Sequence, residues 1–376
     1  MSVYLDNAAT TKPCVPAVEA AIDAMTVNFG NPSSLHRAGL DAQLVVDRAR
    51  KIIADSIGAS PENIIFTSGA TESNNLALRG ASAAYGRKRR KIVISAVEHA
   101  SVDETASALE KSGFELVRVP PREDGRIYAA DFLAVCDENT CLISMMLVNN
   151  ETGYILPVKE TFSAVKRKFP DIITHCDCVQ GYMKLPMKVN TLCADLISLS
   201  GHKIHGVKGA GALYIRKGIR VLPVVTGGKQ EKSIRSGTES VPVIAAFGAA
   251  AEYLAPTIAQ RSERASQLKG YLLSRLSESE NIAVNSPEDG SPYIINISAM
   301  GKRSEIMLHF LENRGIYVSS GSACSKGVQS GVLGMFGITG KRADSALRIS
   351  ITAETTKNEL DEFVSALNDG LEKLRG

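Results

Sequence analysis

The sequence predicts an α/β protein, with a mostly parallel central sheet covered by helices and a smaller α+β domain after it. Three observations carry this expectation. Between about residues 60 and 216, short β-rich runs alternate with helical patterns. Polar residues follow the runs, as they do where parallel strands end at a ligand-binding edge. Beyond about residue 250 the texture changes to long helical stretches with few β-rich runs. A chain of 376 residues exceeds what one small core serves. Residues 15–250 are therefore expected to form the larger, ligand-binding domain, and residues 1–14 with 251–376 the smaller one.

A helical stretch, Leu40 to Ile57, comes first. The β-rich runs are Ile64 to Phe66, Ile92 to Ser95, Leu142 to Val148, Ile172 to His175, Leu196 to Leu199 and Ala212 to Ile215. Parallel neighbours need long crossover connections, which the helical segments between the runs supply. The later part reads as a long helix from Ala251 to Ser277, a strand from Tyr293 to Ile297, a helix around Ile306 to Arg314 and a last helix from Lys357 to Leu374.

A net charge of +3 is too weak to indicate a nucleic-acid or anionic-membrane partner, and the basic run Arg87 to Lys91 reads as a solvated loop. Seven cysteines, an odd number without framework spacing, and the lack of a signal-like opening favour the reducing cytoplasm. The longest apolar stretch, Val241 to Leu254, contains Pro242, Gly248 and Glu252 and falls short of the roughly 20 residues that span a bilayer, so no membrane span is expected.

The strand ends carry the chemistry. Thr67-Ser-Gly-Ala-Thr-Glu is a glycine-containing turn between a strand and a helix, where free backbone N–H groups and the positive helix end suit a phosphate, although Ser and Thr there also serve as ordinary helix caps. Glu98-His99, Asn149-Asn150-Glu151 and Asp177 with Gln180 follow later runs. In Ser200-Gly-His-Lys203, with glycines behind it, a lysine leaves a strand through a small polar turn and can form a Schiff base. Pyridoxal phosphate needs such an amine, an acid for its ring nitrogen and a group stacked on its ring, and Asp177 and His99 offer the last two. Cys176 and Cys178, with one spacer and no second pair, read as core residues and not as a metal pair.

With these segments, Tyr4-Leu-Asp-Asn-Ala-Ala-Thr-Thr, Asn28-Phe-Gly-Asn-Pro-Ser-Ser, Arg235-Ser-Gly-Thr-Glu and Ser319-Ser-Gly-Ser-Ala-Cys complete a specific set. The chain resembles, over nearly its whole length, the cysteine desulfurases of the class V pyridoxal-phosphate-dependent aminotransferase superfamily, in the nitrogen-fixation and iron–sulfur-assembly branch. The resemblance implies the fold type I architecture of that superfamily. It implies that Lys203 holds pyridoxal 5'-phosphate, Asp177 pairs with its ring nitrogen and His99 stacks on the ring and serves the chemistry. It also implies that Gln180 and Asn150 contact the ring oxygen and neighbouring atoms, and that Ala70, Thr71, Ser200 and His202 bind the phosphate with Thr238 from the other subunit of a homodimer. Arg348 matches the arginine for the substrate carboxylate, with Asn150 and Asn31 as further substrate contacts.

Cofactor motifs alone do not choose the reaction. Cys324, in a small glycine-rich loop, makes the choice: it implies removal of sulfur from L-cysteine to give L-alanine and a persulfide on Cys324. That sulfur would pass to an acceptor protein, an iron–sulfur scaffold or a thiolation enzyme. An aminotransferase or selenocysteine lyase on the same fold, and a non-catalytic sulfur-relay scaffold, are the alternatives. The chain departs from the family pattern at Lys229, at Val207, in the segment after Cys324 and in Ile-Ser-Ile-Thr after Arg348.

Overall fold

The computed structural model describes residues 2–320 and 331–374, so Cys324 lies outside the described residues. A two-residue strand, β1 (Val3–Tyr4), comes first. Seven strands then build the main sheet: β2 (Ile64–Thr67), β3 (Lys91–Ser95), β4 (Glu115–Val119), β5 (Thr140–Ser144), β6 (Ile173–Asp177), β7 (Leu196–Ser200) and β8 (Gly211–Ile215). Their order is β2-β8-β7-β6-β5-β3-β4. Only β8 runs against its neighbours, so the other six strands all end at one edge. Every residue of β5, β6, β7 and β8 is buried, as expected of strands covered on both faces.

The helices covering this sheet begin with α1 (Val15–Thr26), α2 (Arg37–Ile57), α3 (Ala70–Tyr85) and α4 (Ala100–Lys111). The expected long helix after residue 250 is two helices, Val241–Leu254 and Ile258–Leu276, separated by a 3-10 turn at Ala255–Thr257 that contains Pro256. Taken together, Val241–Leu276 is long and apolar enough to cross a membrane, which differs from the sequence expectation. Its apolar side is spent on the core, where Ala246, Phe247, Ala250 and Ala251 are fully buried.

A second sheet comes from β9 (Ile282–Val284), β10 (Ile294–Ala299), β12 (Ser319–Ser320) and β13 (Ala346–Ser350), in the antiparallel order β12-β13-β10-β9. Strand β11 (Ile316–Tyr317) pairs separately with β1. Leu5, Leu268, Leu272, Ile295, Ile297 and Phe363 make a core distinct from that of the main sheet. Residues 6–8 tie the two bodies together. Asp6 bridges to Ser350, Asn7 donates to the Ser350 carbonyl at 2.9 Å, and the Ala8 N–H donates to Ser350 Oγ at 2.8 Å.

Candidate active site

A cavity of about 640 Å³ opens beyond the carboxyl ends of the main-sheet strands, within the size range of small-molecule sites. One end is formed by Ala70 and Thr71, in the first turn of the 16-residue α3, together with Ser200 and His202. Gly69 enters this helix at φ 155°, and a Cβ on Gly211 of β8 would lie 2.6 Å from the Gly69 carbonyl carbon. Only a glycine on the facing strand lets that turn close down. Glu72 would oppose an anion here, but Arg235 neutralises it with an ion pair at 2.8 Å. Ser200 Oγ is buried and has no hydrogen-bond partner among the described residues.

Lys203 reaches the cavity from the turn after β7, and its Nζ donates to the carbonyls of Ala8 and Ala9, both at 2.6 Å. Burial, then the positive charge of Arg348, pull its pKa down to about 8, with Asp6 and Asp177 pulling the other way. Burial, helped by Lys203 and Lys208, lowers His202 to about 4, so its ring is neutral near pH 7.

Asp177 ends β6, where Val179 N–H donates to Oδ1 at 3.0 Å and Asn74 Nδ2 to Oδ2 at 2.8 Å. The second amide hydrogen of Asn74 goes to Ser101 Oγ at 2.8 Å, and that hydroxyl lies 2.8 Å from His99 Nδ1. The Ser101 N–H also donates to Nδ1, at 3.1 Å. A backbone N–H only donates, so Nδ1 is the acceptor and the proton of the neutral ring sits on Nε2. Next to His99, the Glu98 carboxyl takes hydrogen bonds from Ser95 and the Met146 N–H, and burial pushes it up to about 8 despite the Ser95 bond.

Gln180 lines the cavity, donating to the Ala8 carbonyl at 2.9 Å and accepting from Lys184 at 2.7 Å. Asn150 lines it too, and its carbonyl takes a bond from Arg348 Nη1 at 3.0 Å. Arg348 is buried rather than on the surface. Its Nη2 donates to Asp6 Oδ1 and to Ser319 Oγ, both at 2.9 Å, and Ser319 donates to the same Asp6 oxygen at 2.7 Å. Arg348 Nε is buried without a partner among the described residues. An N–H left waiting beside a cavity suits an incoming carboxylate.

Two expected residues are not brought to this cavity. Asn31 lies in the exposed turn before α2, where its Oδ1 caps Ser33 N–H at 2.9 Å, and Thr238 is exposed; neither lines the cavity. Conversely, the sequence reading missed Asn74, Lys184, Asp6 and Ser319. Asp6 and Ser319 stand inside segments quoted for the resemblance and Asn74 in the helix that follows the Thr67–Glu72 turn, whereas Lys184 is marked only by lying four residues after Gln180. The residues present fit pyridoxal phosphate. An unpartnered hydroxyl and a helix start face one end, an amine of lowered pKa stands in the cavity, and a carboxylate and an imidazole share one wall.

Comparison with known proteins agrees with this geometry. A protein of Lactobacillus delbrueckii subsp. bulgaricus named NifS/IcsS protein homolog is 38% identical over 372 residues, covering 98% of this chain and 96% of that one. The cysteine desulfurase IscS of Dictyoglomus turgidum is 38% identical over 377 residues, covering 99% and 95%. A solved structure of a NifS-like protein, 34% identical, covers 100% of both chains with a TM-score of 0.94. Residues 3–363 match the model of the aminotransferase class-V family, to which this chain belongs.

Proposed function

We propose that this protein is a cysteine desulfurase that binds pyridoxal 5'-phosphate in the strand-end cavity and moves the sulfur of L-cysteine to Cys324. The observation supporting this is the meeting of Lys203, Asp177, His99 and Arg348 around one cavity whose polar end holds the unpartnered Ser200 hydroxyl. Lys203 would hold the cofactor aldehyde, Asp177 the ring nitrogen and His99 the ring face. Gln180 and Asn150 would contact the ring oxygen and its neighbours, and Ala70, Thr71, Ser200 and His202 the phosphate. When bound, the cofactor supplies an electron sink for negative charge at the substrate Cα.

The chain's own residues do the rest. Arg348 binds the α-carboxylate of L-cysteine as a planar donor already oriented by Asp6. Lys203, with its pKa lowered toward neutrality, takes the proton from Cα. The Cys324 thiolate forms a bond to the substrate sulfur as the Cβ–S bond breaks and the bonding pair stays with Cβ; one proton completes the methyl group, another is restored to Cα, and alanine results. The persulfide on Cys324 is then handed to an acceptor protein. Cys324 lies outside the described residues, and its role rests on the sequence.

The same reading takes the enzyme as a cytoplasmic homodimer, with residues 15–250 as the cofactor-binding domain. Val15, Val18, Ile22 and Met25 make an exposed apolar stripe on α1, continued by Phe29 and Leu35, and a second copy would cover such a surface. Thr238 and Asn31, away from their own chain's cavity, would then serve the partner's. The test is incubation with L-cysteine, measuring alanine and sulfide with and without reductant. The wild type should give both products, and Lys203→Ala and Cys324→Ala neither, although Cys324→Ala should still take up the cofactor. Equal alanine from all three proteins would refute the mechanism.

A further inference from the structure

Lys184 is a buried lysine behind the cavity wall, four residues after Gln180 in the turn that follows β6. Its Nζ donates to Gln180 Oε1 at 2.7 Å. Gln180 Nε2 in turn donates to the Ala8 carbonyl at 2.9 Å, and that carbonyl also takes the Lys203 amine at 2.6 Å. The proposed reaction gives Lys184 no task. Its burial is expensive: desolvation, with the positive charges of Lys203 and Arg348, lowers its pKa to about 7, and a methionine of similar reach would occupy the space at less cost.

What the lysine supplies is direction. The two ends of a glutamine amide have nearly the same shape, yet one end accepts hydrogen bonds and the other donates them. A lysine amine at this spot offers donors, so Oε1 turns toward it. The Ala8 carbonyl only accepts, so the NH2 turns the other way. One amide hydrogen goes to Ala8, and the second remains for the cavity that Gln180 lines. We propose that Lys184 is a positioning residue that locks the Gln180 amide with its nitrogen toward the cavity, making Gln180 a contact for an oxygen acceptor on the bound cofactor. Without Lys184, Oε1 would be buried unpaired, and only the Ala8 carbonyl would be left to hold the amide in place.

This inference rests on the reading that the cavity binds pyridoxal phosphate, and the test separates the two. Apo forms of the wild type, Gln180→Met, Lys184→Met and the double variant are titrated with pyridoxal 5'-phosphate and followed by absorbance. The two single variants should each bind about 10-fold more weakly, the size of one hydrogen bond, and the double variant no more weakly than Gln180→Met. Binding by Lys184→Met within about twofold of wild type, or losses that multiply in the double variant, would overturn the idea. If Lys184→Met does not fold, Gln180→Met against the double variant decides, because the double variant replaces both partners of the buried bond with apolar groups. Equal affinities support the lock, and a further loss in the double variant overturns it. If the wild type takes up no cofactor, the reading of the cavity fails instead. The ¹⁵N resonance of the Gln180 side-chain amide then still tests the lock, since a signal unchanged by Lys184→Met refutes it.

Discussion

The electrostatics of the cavity predict that Lys203 is chemically unlike an ordinary exposed lysine. With a pKa of about 8, about a tenth of its amine is neutral at pH 7, against roughly 0.04% for an ordinary lysine, a gain of about 200-fold in reactive form. The cause is burial first and the Arg348 charge second, so Arg348→Met should move the titration upward, while Asp6→Asn, which removes an opposing charge, should move it downward. The assay is competitive labelling of the apo protein with a trace amine reagent between pH 6 and 11, read peptide by peptide in a mass spectrometer. Lys203 should reach half-maximal labelling near pH 8. Because its folded pKa lies below the unfolded value, the unfolded chain binds the extra proton between those two values. Lys203 therefore contributes stability that rises with pH across that window. A Lys203 that labels with a midpoint near 10.4 in the wild type, or does not move in Arg348→Met, would refute the electrostatic account.

Two further predictions concern buried polar contacts of Glu231 and Asn74. Glu231 is held by Arg50 through two bonds, at 2.7 and 2.8 Å, and takes the Phe66 N–H at 2.9 Å, while Glu231, Lys232 and Ser233 all stand at positive φ. Glu231→Gln leaves Arg50 without its counter-charge and should cost about 3–5 kcal/mol in urea unfolding; a cost under about 1 kcal/mol would mean the clamp is not holding β2. Asn74→Ala removes the shared donor of Asp177 and Ser101 and should weaken pyridoxal phosphate binding about 10-fold, equivalent to about 1.4 kcal/mol, in a fluorescence titration. Unchanged binding would show that Asp177 and His99 are oriented independently.

The strand-end groups were legible in the sequence because each follows a run whose composition announces it. Asp177, Lys203 and Ser200 close or follow fully buried strands, and His99 caps the helix that follows β3. The reversed direction of β8 was not legible, since β-rich composition says nothing about which way a strand runs, and the glycines before it serve a turn in either direction. The single long helix expected from Ala251 to Ser277 is instead broken around Pro256, and β4 was missed, its alternation being short and charged. Asn74 stands in the ordinary helix α3 and Lys184 in the turn after β6, and only packing brings their side chains to Asp177 and Gln180. Asp6 and Ser319 reach Arg348 across contacts more than 300 and about 30 residues apart in the chain, a relation no local pattern records.

The contacts made by residues 6–9 set the order in which the site can be completed. Asp6 is bonded to Arg348, 342 residues away, and Ala8 and Ala9 hold Lys203 at separations of 195 and 194. During synthesis the main sheet has all its strands once residue 215 has emerged, yet residues 6–8 have no β13 to lie against until residues 346–350 follow. The half-made chain carries Lys203 and Asp177 but not Arg348, the residue proposed to bind the substrate carboxylate. The contacts that hold Arg348 are thus completed late, after nearly all of the chain has left the ribosome.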